Sequence, residues 1–431
     1  MNYFEIKKNF LEFFEKRGHK IIPSSSLIPQ NDPSVLLTTA GMQQFKEYFL
    51  RKKNPEQDFG TQRVTSCQKC FRTTDIEEVG DERHLTFFEM LGNFSFGPVK
   101  SDDPSDFSTG GYFKRASIYW AFEFLTQHMN LKIDYVTYFG GDSEIPEDLE
   151  SFNILKELNL PIKSSGREDN FWGPTGNEGP CGPTVEFYIN GLEVWNLVFN
   201  EYYRYPDGSL KKLEFPGVDT GMGYERLLMV LEKKENVFET SAFDTIYKIL
   251  KPFIPQEYIN FKRDQRIILD HLRAIVFLIS DGVLPSNILR GYVLRRILRR
   301  LFLKLKQLNV PKKSYNILIQ KTCEFYSKSW PEVENYKKVI EVFEEELDKF
   351  NLILERGIRL FNKNIDDFKN KEKRAKKAFD LFSTYGFPLE LTKELLKSND
   401  ILWEKEDEDE FLKLFEEHKK ISKKLFDDEI E

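Results

Sequence analysis

The first 245 residues alternate short apolar runs with turn-forming residues. The runs have the length of strands, are rich in β-branched and aromatic side chains, and lie at 21–29, 34–42, 84–94, 134–141, 184–191 and 192–205. Two segments, near 3–17 and 115–129, carry a helical period instead, and in the first of them Phe4, Phe10, Leu11 and Phe14 fall on one face. The pattern in this half of the chain predicts an α+β fold with helices around a large antiparallel β-sheet.

Beyond residue 245 the helical period takes over and turn residues become sparse. Its clearest stretch repeats apolar side chains at steps of three or four residues, at Val339, Phe343, Leu347, Phe350, Leu354, Ile358 and Phe361. Such a stripe is typical of a long helix that packs into a core. We predict two domains, 1–245 and 246–431, of which the second is mostly α-helical and ends in an acidic tail.

The segment 97–111 follows neither pattern. It is rich in Ser, Asp, Pro and Gly and has too little apolar surface to fold by itself. We predict a mobile surface loop.

The composition narrows the class of protein. The 431 residues are 40% hydrophobic and 31% charged, which fits two or three globular domains and excludes disordered, collagenous and disulfide-rich secreted chains. Four cysteines, at positions 67, 70, 181 and 323, are typical of a reduced compartment. The sequence has no signal peptide, and no window approaches the roughly 18 apolar residues of a membrane span. We expect a soluble cytoplasmic protein.

The net charge of −7 conceals an uneven distribution. Between residues 262 and 328, fifteen Lys and Arg stand against four Asp and Glu, so this segment carries +11 and the rest of the chain −18. A basic segment of this kind predicts a face that binds a polyanion. The alternative is a solvated helix face whose charges pair with the acidic tail.

Residues 70–97 hold the first candidate site. Arg72 ends one strand and an acidic turn follows. The next strand alternates between two faces, with Thr86, Phe88 and Met90 on one and Phe87, Glu89 and Leu91 on the other. A guanidinium can bind phosphate while an aromatic ring stacks on a purine, so the two strands suit ATP. A hairpin with core aromatics is the alternative.

Two further segments could complete a pocket. In 217–231, glycines at 217, 221 and 223 permit close backbone approach before a helix, and Asp219 precedes Arg226 by seven residues across this glycine hinge. A carboxylate and a guanidinium could therefore face one pocket, although neither a Gly-Lys-Ser/Thr loop nor a GxGxxG pattern is present. The Gly/Pro-rich loop 170–187 around Trp172 predicts a pocket wall, with structural packing as an equal alternative.

The cysteines and histidines predict no zinc site and no nucleophilic triad. Cys67 and Cys70 form a CxxC without a second pair or a neighbouring histidine, and the five histidines are scattered.

Several strings, in the same order, resemble the alanyl-tRNA synthetase family of class II aminoacyl-tRNA synthetases. SSSLIPQNDPSVLLTTAGMQQF resembles motif 1 of the family. CFRTTDIEEVG with RHLTFFEMLGNFSFG resembles motif 2, and VDTGMGYERL resembles motif 3. Its other active-site segments resemble NFWGPTGNEGPCGP and EVWNLVFNEYYR. Its tRNA-recognition region resembles DHLRAIVFLISDGVLPSNILRGYVLRRILRR, LERGIRLF and STYGFPLELT. The resemblance implies a class II antiparallel sheet flanked by helices, followed by a mostly helical tRNA-recognition domain.

The resemblance also assigns roles to individual residues. ATP would be bound by Arg72, Glu77, His84, Phe88, Met90 and Arg226, with the two arginines as the catalytic pair and Phe88, or else Phe87, stacked on adenine. L-Alanine would be bound by Trp172, Asn196, Val198, Asp219 and Gly221, with Asp219 on its ammonium group. Glu201 would be a magnesium ligand. The tRNA would be bound by Asn287, Arg295, Arg296, Arg299 and Glu390.

The reaction implied by the resemblance is that of an alanine–tRNA ligase. The carboxylate of alanine attacks the α-phosphorus of ATP with Mg²⁺ present, pyrophosphate leaves, and the alanyl group passes to tRNA(Ala). The +11 segment would then hold the acceptor stem, where Asn287 reads base edges.

Two features depart from the family. Glu390 stands where the string YGFPxDLT usually has aspartate, and the 431 residues do not include the family's editing domain, with its zinc ligands, or its C-terminal oligomerising domain. The sequence would be either a naturally minimal enzyme or a fragment. We therefore expect a zinc-free monomer. The alternatives are a catalytically inactive tRNA-binding paralogue and a different adenylating ligase on the same fold.

Overall fold

The computed structural model describes residues 2–30, 35–174, 176–260 and 262–427, with side chains up to 418. Residues 31–34 of the motif 1 string and residue 175 of the 170–187 loop lie outside these ranges. The strands are β1 Lys20–Ile21, β2 Arg63–Phe71, β3 Phe87–Ser95, β4 Tyr135–Phe139, β5 Ile162–Ser165, β6 Phe171–Trp172, β7 Gly179–Ile189, β8 Leu192–Arg204 and β9 Leu210–Gly223.

Helices precede and follow these strands. They are α1 Tyr3–Glu15, α2 Lys46–Phe49, α3 Pro55–Phe59, α4 Lys114–Glu123, α5 Leu149–Glu157, α6 Arg167–Asn170, α7 Tyr224–Leu231, α8 Ser241–Leu250, α9 Lys262–Ser280, α10 Leu289–Gln307, α11 Tyr315–Tyr326, α12 Tyr336–Lys363, α13 Ile365–Lys369, α14 Lys371–Tyr385, α15 Leu389–Ser398 and α16 Lys405–Asp427. None of them, within the ranges given above, is long and apolar enough to cross a membrane.

The strands form one sheet in the order β1-β2-β3-β9-β8-β7-β4-β5, and β6 pairs with β7. The inner pairs are antiparallel, whereas β1–β2 and β4–β5 at the two edges are parallel. The predicted α+β class, with a large antiparallel sheet flanked by helices, is confirmed.

Helix α1 covers part of this sheet. Asn2 caps it through a capping box with Glu5, which satisfies the free amides of the first turn. Phe10 and Phe14 are fully buried and meet the rings of Trp195 on β8 edge-on or tilted. The predicted apolar face is therefore largely confirmed, although Phe4 and Leu11 are only half-buried.

Two of the predicted strand runs are wrong. The run 21–29 contributes only its first residue to β1, and the described part of 34–42 contains no strand. Leu27 and Leu37 are nevertheless buried. The chain here makes isolated hydrogen bonds, in which Thr38 N donates to Leu27 O at 2.9 Å and Phe71 N donates to Thr38 O at 2.7 Å. Burial, rather than pairing in the sheet, accounts for the apolar pattern.

The glycine-rich stretch before α7 is extended rather than a hinge. It forms the end of β9, paired with both β3 and β8. A Cβ atom at Gly217 would lie 2.6 Å from the ring of Phe49, so the missing side chain makes room for a neighbour. The expectation of a hinge at this position is therefore wrong.

The loop 97–111 is anchored, contrary to the prediction of a mobile excursion. Asp102 accepts hydrogen bonds from three backbone amides at the start of α4, at 2.8 to 3.1 Å. The fully buried Arg63 donates to the carbonyls of Asp106, at 2.8 Å, and Gly110, and Trp120 Nε1 donates to Pro104 O at 2.9 Å. The sequence pattern missed these contacts because the partners lie far away along the chain.

The chain divides into two compact units, Met1–Val342 and Phe343–Glu431. The boundary expected near 245 lies inside the first unit, because β3 and α7 are joined to α9 by buried polar contacts such as Arg273 to Glu225 at 2.5 Å. The functional division into 1–245 and 246–431 stays a prediction.

In the second unit, α12 is the long helix that the apolar stripe predicted. Along it, Gly357 receives the fully buried ring of Phe387, and a Cβ atom at position 357 would lie 2.0 Å from Cδ2 of that ring. The glycine is therefore a packing requirement.

We expect Gly357→Ala to destabilise the protein. Alanine inside a helix normally stabilises by about 1 kcal/mol over glycine, whereas an overpacked core costs about 1–3 kcal/mol, so the clash should decide the sign. Urea unfolding should show the loss. The control is Gly166→Ala, since a Cβ there meets nothing within 4 Å. A Gly357→Ala variant more stable than the wild type would contradict the packing argument.

Candidate active site

One pocket lies on the sheet where β3, β8 and β9 run side by side. It brings together ten of the residues that sequence analysis selected: Arg72, His84, Phe88, Met90, Trp172, Asn196, Val198, Asp219, Gly221 and Arg226. These residues are spread over more than 150 positions in the sequence, and the antiparallel pairing of the three strands assembles them.

The alternation of β3 separates pocket from core. Phe88 and Met90 line the pocket, and the guanidinium carbon of Arg72 lies 4.9 Å from the centre of the Phe88 ring. Phe87 is fully buried on the other side, stacked on Phe277 with ring centres 4.1 Å apart. Phe88 is therefore the ring available to a ligand, and Phe87 is not. Thr86, expected on the pocket face, is buried and donates to Asp270 instead.

Arg226 faces the pocket from the first turn of α7. Its NH1 group donates to Glu193 Oε2 at 2.9 Å and to Glu193 O at 3.2 Å. About a third of the arginine side chain stays exposed, so the guanidinium is held in place but open to a ligand.

Asp219 is the most unusual charge in the pocket. Its side chain is buried, and no other part of the described chain gives it a hydrogen bond or an ion pair. Burial alone raises the pKa of Asp219 to about 8. A buried carboxylate without a partner is costly, so the site favours a cationic ligand.

Asn196 lies beside it on the neighbouring strand. Its Nδ2 group donates to Glu186 Oε1 at 3.0 Å, which fixes the amide plane. Its Oδ1 atom is buried and, among the residues that the structure describes, has no hydrogen-bond partner. Burial, followed by the charge of Glu193, raises the pKa of Glu186 to about 7. Asn196 thus offers a second acceptor in the pocket.

The end of the pocket near Gly221 is narrow. A Cβ atom at Gly221 would lie 2.9 Å from Met90 Sδ, and Gly41 N donates to the same sulfur at 3.3 Å. Trp172 is held by the pairing of β6 with β7 and packs against a buried aromatic cluster. The missing side chain of Gly221 therefore lets β9 lie directly against Met90.

Two predicted ligands lie outside the pocket. The exposed carboxylate of Glu77 pairs with Arg296 on α10. Glu201 Oε1 lies 2.7 Å from Nζ of the buried Lys114, which also contacts Asp148 at 2.8 Å. The roles of Glu77 at the triphosphate and of Glu201 as a magnesium ligand stay predictions. The described ranges contain no group of three or more His, Cys, Asp or Glu that could hold a metal ion.

The CxxC cannot chelate a metal either. Its two cysteines lie in β2, where a spacing of three turns them toward opposite faces of the sheet, and both are free and buried.

The basic segment 262–328 forms α9, α10 and α11, and a turn joins α9 to α10. Asn287 is exposed in that turn, and its Oδ1 accepts from Arg295. Arg295 lies on α10, and Arg299, further along this helix, is half-buried. In the second unit, Glu390 is exposed in the first turn of α15.

Not all of the +11 charge is available to a ligand. Arg273 is fully buried, and Arg263, Arg266, Arg296 and Arg300 donate to side chains or carbonyls between residues 76 and 82. The alternative that these charges pair within the protein therefore holds for part of the segment. Their partner is the loop before β3 and not the acidic tail.

Sequence reasoning missed Glu186 and Glu193, which fix Asn196 and Arg226. The signal was present, because a glutamate in the middle of an apolar strand, as in TVEFY, is rarely buried without a role.

Comparisons with known proteins agree with one another. A family model described as "tRNA synthetases class II (A)" matches residues 5–430. Alanine–tRNA ligases of Rubrobacter xylanophilus and Petrotoga mobilis are each 40% identical, over 92% and 98% of this chain but 47% and 49% of their own length. That of Borrelia hermsii is 38% identical, over 97% of this chain and 73% of its own.

The chain thus spans about half the length of the first two relatives. A solved pyrrolysyl-tRNA synthetase from Desulfitobacterium hafniense aligns with 55% of this chain and 72% of its own, at 13% identity and a TM-score of 0.33.

The raised pKa of Asp219 predicts a pH-dependent stability. The folded protein keeps a proton up to pH about 8, whereas the unfolded chain loses it near pH 4, so this group lowers the free energy of unfolding as the pH rises between these values. Asp219→Asn should remove a penalty of a few kcal/mol, on the scale of about 1.4 kcal/mol per pKa unit.

Urea unfolding at pH 5 and pH 8.5 measures this effect. The stability of Asp219→Asn relative to wild type should rise at the higher pH. Asp366→Asn, at a position whose side chain is 95% exposed, is the matched control and should show no such rise. Parallel pH profiles for Asp219→Asn and wild type would show that the carboxylate is already ionised in the folded protein.

Proposed function

Because the chain belongs to the class II tRNA synthetases (A), we propose that it activates L-alanine with ATP and transfers the alanyl group to the acceptor end of a tRNA. The observation that carries the proposal is the buried, unpartnered Asp219 in the same pocket as Arg72, Phe88 and Arg226. The names of the relatives, alanine–tRNA ligases, support the choice of amino acid.

ATP binds, in this proposal, between β3 and the start of α7. Adenine stacks on Phe88, with Met90 at the edge of the ring, and Arg226 closes the other side. Arg72 contacts the α-phosphate, and His84, held by Asp81 at 2.5 Å from its Nδ1, faces the phosphates. Arg72 can hold its phosphate in a bidentate, geometrically defined contact, and the planar guanidinium of Arg226 suits stacking on the adenine.

Alanine binds at the narrow end of the pocket. Its ammonium group meets the carboxylate of Asp219 and the free Oδ1 of Asn196, which satisfies two buried acceptors at once. Trp172, Val198 and Gly221 surround the methyl group. A larger side chain would collide with Met90, whereas a smaller one would lose only about 1–3 kcal/mol, so the pocket rejects large amino acids better than small ones.

The chemical step needs positioning and charge neutralisation. An oxygen of the alanine carboxylate attacks the α-phosphorus, the bond to the bridging oxygen breaks, and pyrophosphate carries the electron pair away. Arg72 neutralises the charge that develops on the α-phosphate. No proton is transferred in this step, which agrees with a pocket without a Ser–His or Cys–His pair.

Magnesium enters the proposal only as the ion that normally accompanies ATP. Magnesium in such sites is commonly held by one or two carboxylates and the substrate's own phosphates. Glu201 is paired with Lys114, and within the described ranges no group of three or more His, Cys, Asp or Glu could hold a metal ion. No step is therefore assigned to a bound ion.

Transfer to tRNA involves the turn and helix that follow α9. In the proposal Asn287 reads base edges in the minor groove of the acceptor stem, with Arg295, Arg296 and Arg299 on the phosphates. Glu390, on α15, stays a predicted contact to the tRNA.

Alanine-dependent exchange of pyrophosphate into ATP tests the first step. We expect exchange with alanine and not with leucine or phenylalanine, and Arg72→Ala should lower kcat/KM by about 100-fold or more, as expected for losing a preorganised charge. Arg83→Ala, an exposed arginine at the pocket rim, is a comparison that should cost much less. No exchange by a folded wild-type chain would favour the inactive paralogue.

Charging of tRNA(Ala) tests the second step. Asn287→Ala should leave pyrophosphate exchange within about twofold and lower kcat/KM for charging by about 10- to 100-fold, the scale of one lost base contact. Asn153→Ala, at an exposed position on α5, is the control and should change neither activity. Equal charging by Asn287→Ala and wild type would remove Asn287 from the recognition site.

A further inference from the structure

We propose that Asp270 and Arg273, two buried charges on α9, are positioning residues that hold the ATP-binding residues of the sheet in register. The inference rests on the proposed ATP site. Neither side chain lines the pocket, so both act through residues that do.

Arg273 joins the two elements that carry Phe88 and Arg226. It is fully buried, its NH1 lies 2.5 Å from Glu225 Oε1, and its NH2 donates to Phe87 O at 2.5 Å. Glu225 precedes Arg226 at the start of α7, and Phe87 precedes Phe88 on β3. One planar guanidinium therefore fixes the backbone next to both faces of the proposed adenine site.

Asp270 acts in the same way on the phosphate side. Its Oδ1 accepts from Thr86 N at 2.9 Å and its Oδ2 from Thr86 Oγ1 at 2.6 Å. Thr86 O in turn accepts from Arg72 N at 2.9 Å. The carboxylate of Asp270 thus holds Thr86, and Thr86 binds the backbone of Arg72.

The two charges lie three residues apart on one face of α9, so a single rigid helix carries both anchors. Glu225 is itself bound a second time, because Glu89 N donates to both of its carboxylate oxygens at 3.2 Å. Arg72, Phe88 and Arg226 are therefore each one residue, or one hydrogen bond, away from a group that α9 holds.

Stability alone does not account for this arrangement. Burying charges costs several kcal/mol each, and well-packed apolar residues often serve a core as well as an ion pair does. Apolar packing does not fix the orientation of the groups it contacts. A planar guanidinium does, because its N–H groups donate in fixed directions to a carboxylate and a carbonyl at the same time. The geometry points to placement of the ATP ligands as the function of the pair.

Arg273→Lys is the decisive variant. Lysine keeps a positive charge opposite Glu225, but it lacks the planar guanidinium that also donates to Phe87 O. Asp270→Asn is its counterpart and keeps the size of the side chain while removing one acceptor for Thr86. Arg63→Lys is the matched control. Arg63 is equally buried and donates to backbone carbonyls, but it anchors the 97–111 loop rather than the pocket.

Two readouts are needed: ATP affinity by equilibrium dialysis, and KM and kcat in alanine-dependent pyrophosphate exchange. Thermal unfolding of the same samples gives the stability of each variant. For Arg273→Lys and Asp270→Asn we expect ATP affinity to fall by about tenfold, KM for ATP to rise accordingly and KM for alanine to stay within about twofold. For Arg63→Lys we expect a loss of melting temperature without a change in ATP affinity.

The outcomes separate the possibilities. Unchanged ATP affinity in both α9 variants, or an equal loss in Arg63→Lys, would overturn the positioning role and leave a structural one. A wild-type chain that binds ATP but catalyses no exchange would refute the proposed function, while the dialysis data would still decide the role of α9. A folded wild-type chain that binds no ATP would overturn both.

Discussion

The ion pair between Glu225 and Arg273 is the contact on which the rest of the first unit depends. Both groups are buried, Glu225 lines the pocket and Arg273 lies behind it, and their contact holds only if β3, α7 and α9 keep their present spacing. A buried charge that loses its partner costs several kcal/mol, so the three elements cannot shift independently. The pocket shares this constraint. Its residues Phe88 and Met90 alternate along β3 with Phe87 and Glu89, which are bonded to Arg273 and Glu225.

The same constraint explains why the basic segment belongs to the sheet and not to a separate helical body. Arginines on α9 and α10 reach the carbonyls of Ile76 and Gly80 and the carboxylates of Glu77 and Glu82. The loop segment DIEEVGDE has five acidic residues in eight positions, which would otherwise repel one another. Cationic partners on the neighbouring helices neutralise it and fix its path between Arg72 and Phe88.

Much of this arrangement could be predicted from local pattern, and the failures share one cause. The alternation of β3, helix α1 and the long helix α12 followed from periodicity, and most of the pocket followed from the strings that resemble the family, because those signals lie within short stretches of the sequence. The anchored 97–111 loop, the extended 217–223 glycines and the position of Glu77 did not follow. In each case the deciding partner lies far along the chain: Arg63 for the loop, Phe49 for Gly217 and Arg296 for Glu77. For Glu186 the apolar strand around it was a local signal, but its partner Asn196 is identified only once the strands are paired.

The pairing of Arg296 with Glu77 also bears on how an RNA would be bound. The condensed counterions belong to the RNA, and only cations that neutralise its phosphates release them. An arginine that stays paired with a carboxylate neutralises no phosphate, and the same applies to Arg266 with Glu82. The dependence of RNA affinity on salt concentration should therefore be shallower than the number of basic residues on α9 and α10 suggests.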